Sequence, residues 1–217
     1  MINRHSTLDT RHLAGLYAVT SPTLCRTPKR LMAAVEEALR GGAQLIQYRD
    51  KEADASQRHA TARMLLTLCR SHRARLIIND DVELAAAIGA DGVHVGRNDV
   101  PLREARRRLG GDAIVGVSCA NDLERAITAQ DEGASYVAFG RFFPSTTKPD
   151  APQAELALLR EARPRLRVPI CAIGGVTPAN ARTLIDAGAD LVAAVEGVFG
   201  ARDVASAARA YSRLFDQ

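Results

Sequence analysis

Gly89-Ala90-Asp91-Gly92-Val93-His94-Val95 is one of four copies of a single local pattern: a helix ending in Gly-Ala, then a short apolar run. The others are Gly42-Ala43-Gln44-Leu45-Ile46-Gln47, Gly133-Ala134-Ser135-Tyr136-Val137-Ala138-Phe139 and Gly188-Ala189-Asp190-Leu191-Val192. Glycine suits the left-handed position that closes a helix, and so short a run reads as a buried strand. Successive copies lie about 45 to 55 residues apart, the length of two strand–helix units. The intervening strands read as Arg75-Leu76-Ile77-Ile78-Asn79, Ala113-Ile114-Val115-Gly116-Val117 and Val168-Pro169-Ile170-Cys171-Ala172-Ile173, with Gly15-Leu16-Tyr17-Ala18-Val19 in front. Helical patterns alternate with them near 29–41, 56–72, 81–88, 101–109, 121–132, 153–163, 178–187 and 201–215. Asn121 and Thr177, the latter with Pro178 just inside, read as helix starts. Apolar strands alternating with helices imply a parallel sheet, and eight units predict one (β/α)8 TIM barrel. The alternative is an open doubly wound sheet. The expected organisation is a flexible N-terminal segment over 1–12 and a single barrel domain over 13–217.

The 217 residues are 47% hydrophobic and 25% charged, with only 4% aromatic and no tryptophan. So few aromatics argue against a base-stacking nucleic-acid platform. The net charge of +4 comes with arginine clusters at 103–108 and 160–167, which read as solvated helix faces and helix C-termini. The four cysteines, Cys25, Cys69, Cys119 and Cys171, show no C-x-x-C spacing, so neither a disulfide frame nor a zinc site is expected. No signal peptide is apparent and no apolar run approaches the ~20 residues that span a bilayer. These features predict a soluble, cytoplasmic protein that works on small molecules rather than nucleic acid or membrane. Homo-oligomerisation is left open.

In a barrel of this kind the site is built at the C-terminal ends of the strands, so the polar residues ending each strand pattern are the candidates. Gln47, Arg49, Asp50 and Lys51 follow the second strand, and Asn79, Asp80 and Asp81 the third. His94, Arg97 and Asp99 follow the fourth, and Ser118 the fifth. Arg141 and the loop Phe143-Pro144-Ser145-Thr146-Thr147-Lys148-Pro149 follow the sixth, Gly174-Gly175 the seventh, and Val195-Glu196-Gly197 the eighth. Asp80 and Asp99 end adjacent strands and suit Mg²⁺, which keeps waters and shares substrate phosphate oxygens; either could instead cap a helix, the preferred reading for Asp81. Arg49 and Lys51 form a phosphate clamp or a surface pair. The hydroxyls and lysine of 145–148 form an anion loop or a polar turn. Gly174-Gly175 lets a ligand oxygen approach backbone amides, and His94 reads as a satisfied core histidine. Two anion sites, one with a metal, would suit joining a pyrophosphate ester to a phosphorylated partner.

Six motifs in order carry a resemblance from Gly15 to about Ala210: Gln47-Tyr48-Arg49-Asp50-Lys51, Ile78-Asn79-Asp80-Asp81, Gly89 through Gly96 with Asp99, Gly116-Val117-Ser118, Phe139-Gly140 through Thr147-Lys148, and Ala172-Ile173-Gly174-Gly175-Val176. On them the chain resembles the thiamine-phosphate synthase family. The resemblance implies a transferase that joins hydroxymethylpyrimidine pyrophosphate to hydroxyethylthiazole phosphate. It implies Mg²⁺ held by Asp80 and Asp99, and catalytic contacts to pyrophosphate from Arg49, Lys51, Ser118 and Lys148. It implies Gln47 and Asn79 on the aminopyrimidine, and Ser145, Thr147, Gly175, Val195 and Glu196 around the thiazole phosphate. Three departures stand out: Ser145 where threonine is commoner, Arg141 for a frequent proline, and Glu196 where the family usually offers serine. A carboxylate beside a phosphate is repulsive, so either Glu196 turns away and leaves backbone amides to bind, the preferred reading, or a cation such as Arg141 offsets it. The rival readings are a thiazole tautomerase-like isomerase, another phosphate-binding barrel such as an aldolase or epimerase, and a non-catalytic thiamine-precursor binding protein.

Overall fold

The computed structural model describes residues 13–145 and 152–216. Its strands are β1 (Gly15–Val19), β2 (Leu45–Tyr48), β3 (Arg75–Asn79), β4 (Gly92–Val95), β5 (Ile114–Ala120), β6 (Tyr136–Phe139), β7 (Ile170–Ile173) and β8 (Leu191–Ala194). They close in chain order into a parallel barrel, with β8 returning beside β1. The long connections carry α2 (Pro28–Arg40), α3 (Ala55–Ser71), α4 (Val82–Ile88), α5 (Leu102–Leu109), α6 (Leu123–Asp131), α7 (Leu156–Ala162), α8 (Pro178–Asp186) and α10 (Val204–Ser212). This is the (β/α)8 barrel expected from the repeat, and the doubly wound alternative is excluded by closure. Residues 1–12 lie outside the described residues.

The boundaries correct the sequence reading in three places. β5 runs past Val117 to Ala120, so Ser118 lies within the strand rather than beyond it; Gln47 likewise lies inside β2. Helix α6 is capped by Asp122, whose carboxylate accepts the Arg125 amide at 2.9 Å, and not by Asn121. Two one-turn helices, α1 (Pro22–Cys25) and α9 (Glu196–Phe199), follow β1 and β8 in stretches too short to show a helical period.

Because side chains alternate along a strand, each one feeds two cores. Outward residues such as Leu16, Ile46, Leu76, Val93, Val115 and Val192 pack under the helices. Inward residues fill the lumen, among them Tyr17, Leu45, Ile77, Ile114, Tyr136, Cys171 and Leu191. Each large side chain so buried contributes about 1.5–3 kcal/mol. All four cysteines are free and buried, and burial pushes the Cys69 and Cys119 thiols up to about 12, which keeps them inert.

The third residue of the repeated motif has a job that its sequence does not reveal. Asp91 Oδ2 accepts the Leu76 amide at 2.8 Å, Ser135 Oγ the Val115 amide at 3.0 Å, and Asp190 Oδ2 the Ile170 amide at 2.8 Å. Three of the four repeats therefore hook the start of the strand before them and fix the register at the N-terminal end of the barrel. In the first copy Gln44 holds this position, and its side chain turns to the Gly42 carbonyl instead. The arginine clusters are engaged around the same hooks. Arg106 donates to Ser135 Oγ and to the carbonyls of Ala113 and Gly133, and Arg163 pairs with Asp190 at 2.6 Å.

Candidate active site

At the opposite end the strand termini surround a cavity of about 630 Å³. Every described residue that the resemblance assigns to the site lines it: Gln47, Arg49, Lys51, Asn79, Asp80, Asp99, Ser118, Ser145, Gly175, Val195 and Glu196, while the candidates Asp50 and Asp81 do not. Thr147 and Lys148 lie outside the described residues.

One wall is built of charged side chains fixed by neighbouring polar groups. The buried Thr20 hydroxyl accepts the Arg49 amide at 2.9 Å and donates to the Arg49 carbonyl at 3.2 Å. Asp50 Oδ1 accepts the amides of Glu52 and Ala53 at 3.0 and 3.1 Å, which shapes the turn carrying Arg49 and Lys51. Lys51 Nζ reaches Asp80 Oδ2 at 3.0 Å. Asp80 sits at φ 63°, a left-handed conformation that non-glycine residues adopt at a cost. Its amide is tied to the His94 carbonyl across to β4 at 2.9 Å. Asp99 receives the Gly96 amide at 2.7 Å and lies within hydrogen-bonding reach of Asp80.

Burial pushes both carboxyls up. At Asp80 the Lys51 ammonium and the hydrogen bond with Asp99 more than offset this, leaving it below the usual carboxylate range. Asp99 remains raised by burial and by Asp80, despite the Gly96 amide. No group of three or more His, Cys, Asp or Glu side chains gathers to hold a metal among the described residues. The donor set is two hard carboxylates at the mouth of a cavity, with a lysine ammonium already drawn to one of them. That fits Mg²⁺, which takes few protein ligands and completes its shell with water and phosphate oxygens. Asp81 does what the sequence expects, capping α4 through the Leu84 amide at 2.9 Å.

The floor is a continuous hydrogen-bonded row across the lumen. Gln47 Nε2 donates to the Tyr17 hydroxyl at 2.6 Å, and Tyr17 meets the Tyr136 hydroxyl at 2.9 Å. Tyr136 meets His94 Nδ1 at 2.8 Å, and His94 Nε2 meets Ser118 Oγ at 2.8 Å. Gly116 makes room for it: Gly116 is the register partner of Tyr136, and a Cβ there would overlap the tyrosine ring. His94 is thus a core histidine with both nitrogens partnered, as expected.

The other wall is mostly backbone. The Phe143 amide donates to the Gly174 carbonyl at 3.0 Å. A Cβ on Gly175 (φ 63°) would overlap the Pro144 carbonyl. These glycines therefore serve the close packing of the β6 and β7 loops, a requirement beyond the ligand approach expected from sequence. Asn180 holds the same turn, donating to the Gly175 carbonyl at 3.0 Å and accepting the Thr177 amide at 2.8 Å. Val195 caps α9, and Glu196 opens it as an exposed residue. The Glu196 carboxylate leans along the helix over Gly200, where an added Cβ would stand 2.6 Å from Oε2. Arg141 also lines the cavity.

Thr20, Tyr17 and Tyr136 support the site without having been singled out for it, and Asp50, a candidate by its place after β2, supports it through the turn rather than lining it. For the tyrosines the signal was available, since counting alternate residues along β1 and β6 places both in the lumen. For Thr20 and Asp50 it was not, because a loop side chain shows its partner only once the loop is folded.

Residues 16–198 match the family described as thiamine monophosphate synthase. A thiamine-phosphate synthase of Methylococcus capsulatus is 55% identical over 201 residues, covering 93% of this chain and 89% of its own. One of Nitrosococcus oceani is 53% identical over 204 residues, covering 94% and 93%. Among solved structures, a thiamine phosphate pyrophosphorylase from Pyrococcus furiosus superposes with a TM-score of 0.86 at 33% identity, covering 96% of this chain and 98% of that one. With the motif residues gathered around one cavity and relatives matching nearly end to end, this chain belongs to the thiamine monophosphate synthase family.

Proposed function

We propose that the protein is a transferase that couples 4-amino-2-methyl-5-hydroxymethylpyrimidine pyrophosphate to 4-methyl-5-(2-hydroxyethyl)thiazole phosphate, giving thiamine phosphate and pyrophosphate. The observation that carries this reading is the single chamber. It holds a wall of Arg49, Lys51, Asp80 and Asp99 facing a wall of β6–β8 loops, so that two anionic substrates can meet in it.

The bond between the pyrimidine methylene and the pyrophosphate oxygen breaks with its electron pair leaving on pyrophosphate. The electron-rich aminopyrimidine stabilises the resulting cation, and the thiazole nitrogen lone pair closes the new C–N bond. No protein nucleophile and no proton transfer at that nitrogen are required. The protein's contribution is charge placed in advance where it develops; removing one such charged group costs about 10²–10³ in rate. Arg49 offers a planar fork and Lys51 a point charge to the pyrophosphate oxygens, and Ser118 donates a hydroxyl. Lys148 joins them by the resemblance. Asp80 and Asp99 would hold Mg²⁺, which when bound neutralises the leaving group. Gln47 and Asn79 orient the aminopyrimidine.

Ser145, Thr147 and the backbone near Gly175, Val195 and Glu196 receive the thiazole phosphate, in the place where the loops after strands 7 and 8 and a short extra helix bind phosphate in this fold. The lean of Glu196 toward Gly200 supports backbone recognition there, with the carboxylate held aside. Among the described residues no helix is long and apolar enough to cross a membrane, consistent with action on small soluble substrates.

The test is a coupling assay with both substrates and Mg²⁺, detecting thiamine phosphate by chromatography, with EDTA as control. Metal-dependent product is expected. Absence of product from folded protein that binds both ligands would overturn the transferase reading.

A further inference from the structure

The row of side chains across the cavity floor has a direction, and one amide sets it. Gln47 Nε2 donates to the Tyr17 hydroxyl, so Tyr17 spends its own proton on Tyr136. Tyr136 then has its proton for His94 Nδ1, and a neutral imidazole accepting there would carry its own proton on Nε2, facing Ser118 Oγ. With its oxygen already accepting, Ser118 turns its own proton outward into the cavity it lines. At the other end the Gln47 amide oxygen remains as an acceptor. Burial raises both tyrosine hydroxyls well above their ordinary range, so neither loses the proton that the row passes on. The reverse polarity would make Ser118 donate to His94 and leave it only lone pairs to show an anion.

The geometry points to Tyr17, Tyr136 and His94 as positioning residues that couple the two ends of the pyrimidine site. A ligand N–H accepted at Gln47 and an anionic oxygen bound at Ser118 then stabilise the same proton arrangement. The substrate class recognised is an aminopyrimidine carrying a phosphate ester, read jointly at both ends of one hydrogen-bonded row. Such rows strengthen cooperatively when every member is satisfied. Tyr136 sits at their centre, fully buried, bridging the two ends through its neighbours. This inference rests on the substrate reading above, but its decisive measurement does not need turnover.

Nitrogen NMR on ¹⁵N-histidine-labelled protein without ligand, with His94 assigned by a His94→Gln variant, is expected to show the Nε2–H tautomer. In Gln47→Leu, where the donor that sets the direction is gone, the Nδ1–H tautomer should become populated at His94, three hydrogen bonds away. A wild-type Nδ1–H tautomer, or an unchanged His94 signal in Gln47→Leu, would overturn the coupling even if the coupling assay succeeds. In kinetics, Tyr136→Phe and Ser118→Ala are each expected to lower kcat/KM for the pyrimidine pyrophosphate about tenfold. The double variant should be little worse than either, because both remove one shared effect, while KM for the thiazole phosphate stays within about twofold. Losses that multiply to about a hundredfold would show that the two residues act independently and sink the proposal.

Discussion

At the N-terminal end of the barrel, Asp91 and Asp190 each accept an amide at the start of a neighbouring strand, and Asp190 also holds Arg163. At the C-terminal end, Asp80 and Asp99 stand close together on one wall of the cavity, and Lys51 offers Asp80 a countercharge at salt-bridge distance. The residue type is the same; the surroundings are not. Carboxylates at the base are satisfied by the protein's own donors and hold strand register. Those at the mouth lie close together, and burial and then the nearness of Asp80 raise Asp99, an arrangement that favours an added cation over a closed set of internal bonds. Stability and function thus use the same chemistry at opposite ends of the strands.

Substitutions can break this contrast. Asp80→Ala is expected to lower kcat by about a thousandfold, near the upper range for one preorganised electrostatic group, while Tm moves only a few degrees. A Tm collapse with activity retained in the folded fraction would erase the distinction between the two ends. Gly175→Ala should come next. Both its positive φ and the overlap with Pro144 displace the β7 loop, so KM for the thiazole phosphate should rise by about tenfold or more with the pyrimidine KM little changed. Steady-state kinetics with each substrate varied in turn would show it, and equal damage to both KM values would mean that the two walls are not separable.

Asp190→Ala is the mirror of the first variant. Losing an acceptor for a strand amide and for Arg163 should cost about 1–3 kcal/mol, and about 2–12 °C in Tm by calorimetry, with kcat/KM within about twofold. A large kinetic effect would make the base part of the active site. The smallest effect is expected from Glu196→Ser, which removes an exposed negative charge near the thiazole phosphate. KM for that substrate should fall about threefold, and the gain should shrink at high salt. A rise in KM would mean that the carboxylate, rather than standing aside over Gly200, helps to build the site.

Much of the site was legible because a barrel converts chain order into position. Once eight strands were counted, residues ending each one had to meet, which is how Arg49, Lys51, Asp80 and Asp99 could be brought together without coordinates. Parity along β2 and β5 would also have placed Gln47 and Ser118 inside the strands, facing the lumen, rather than after them. The helix start at Asn121 was off by one because two adjacent residues, Asn121 and Asp122, are both good caps, and only backbone geometry chooses between them. The roles of Thr20 and Asp50 depended on loop conformation, which carries no periodicity to read.

What the sequence determined by itself was the alternation of strand and helix, the closing glycines and the polar strand ends, because each depends on neighbours within a few residues. Tertiary structure alone decided that Asp91, Ser135 and Asp190 hook the preceding strands. It also decided that Gly175 yields its Cβ space to Pro144, and that Gln47, Tyr17, Tyr136, His94 and Ser118 join in one row. Tyr17 and Tyr136 are 119 residues apart. Closure of the barrel sets the distance and direction between such groups, and a hydrogen bond depends on both.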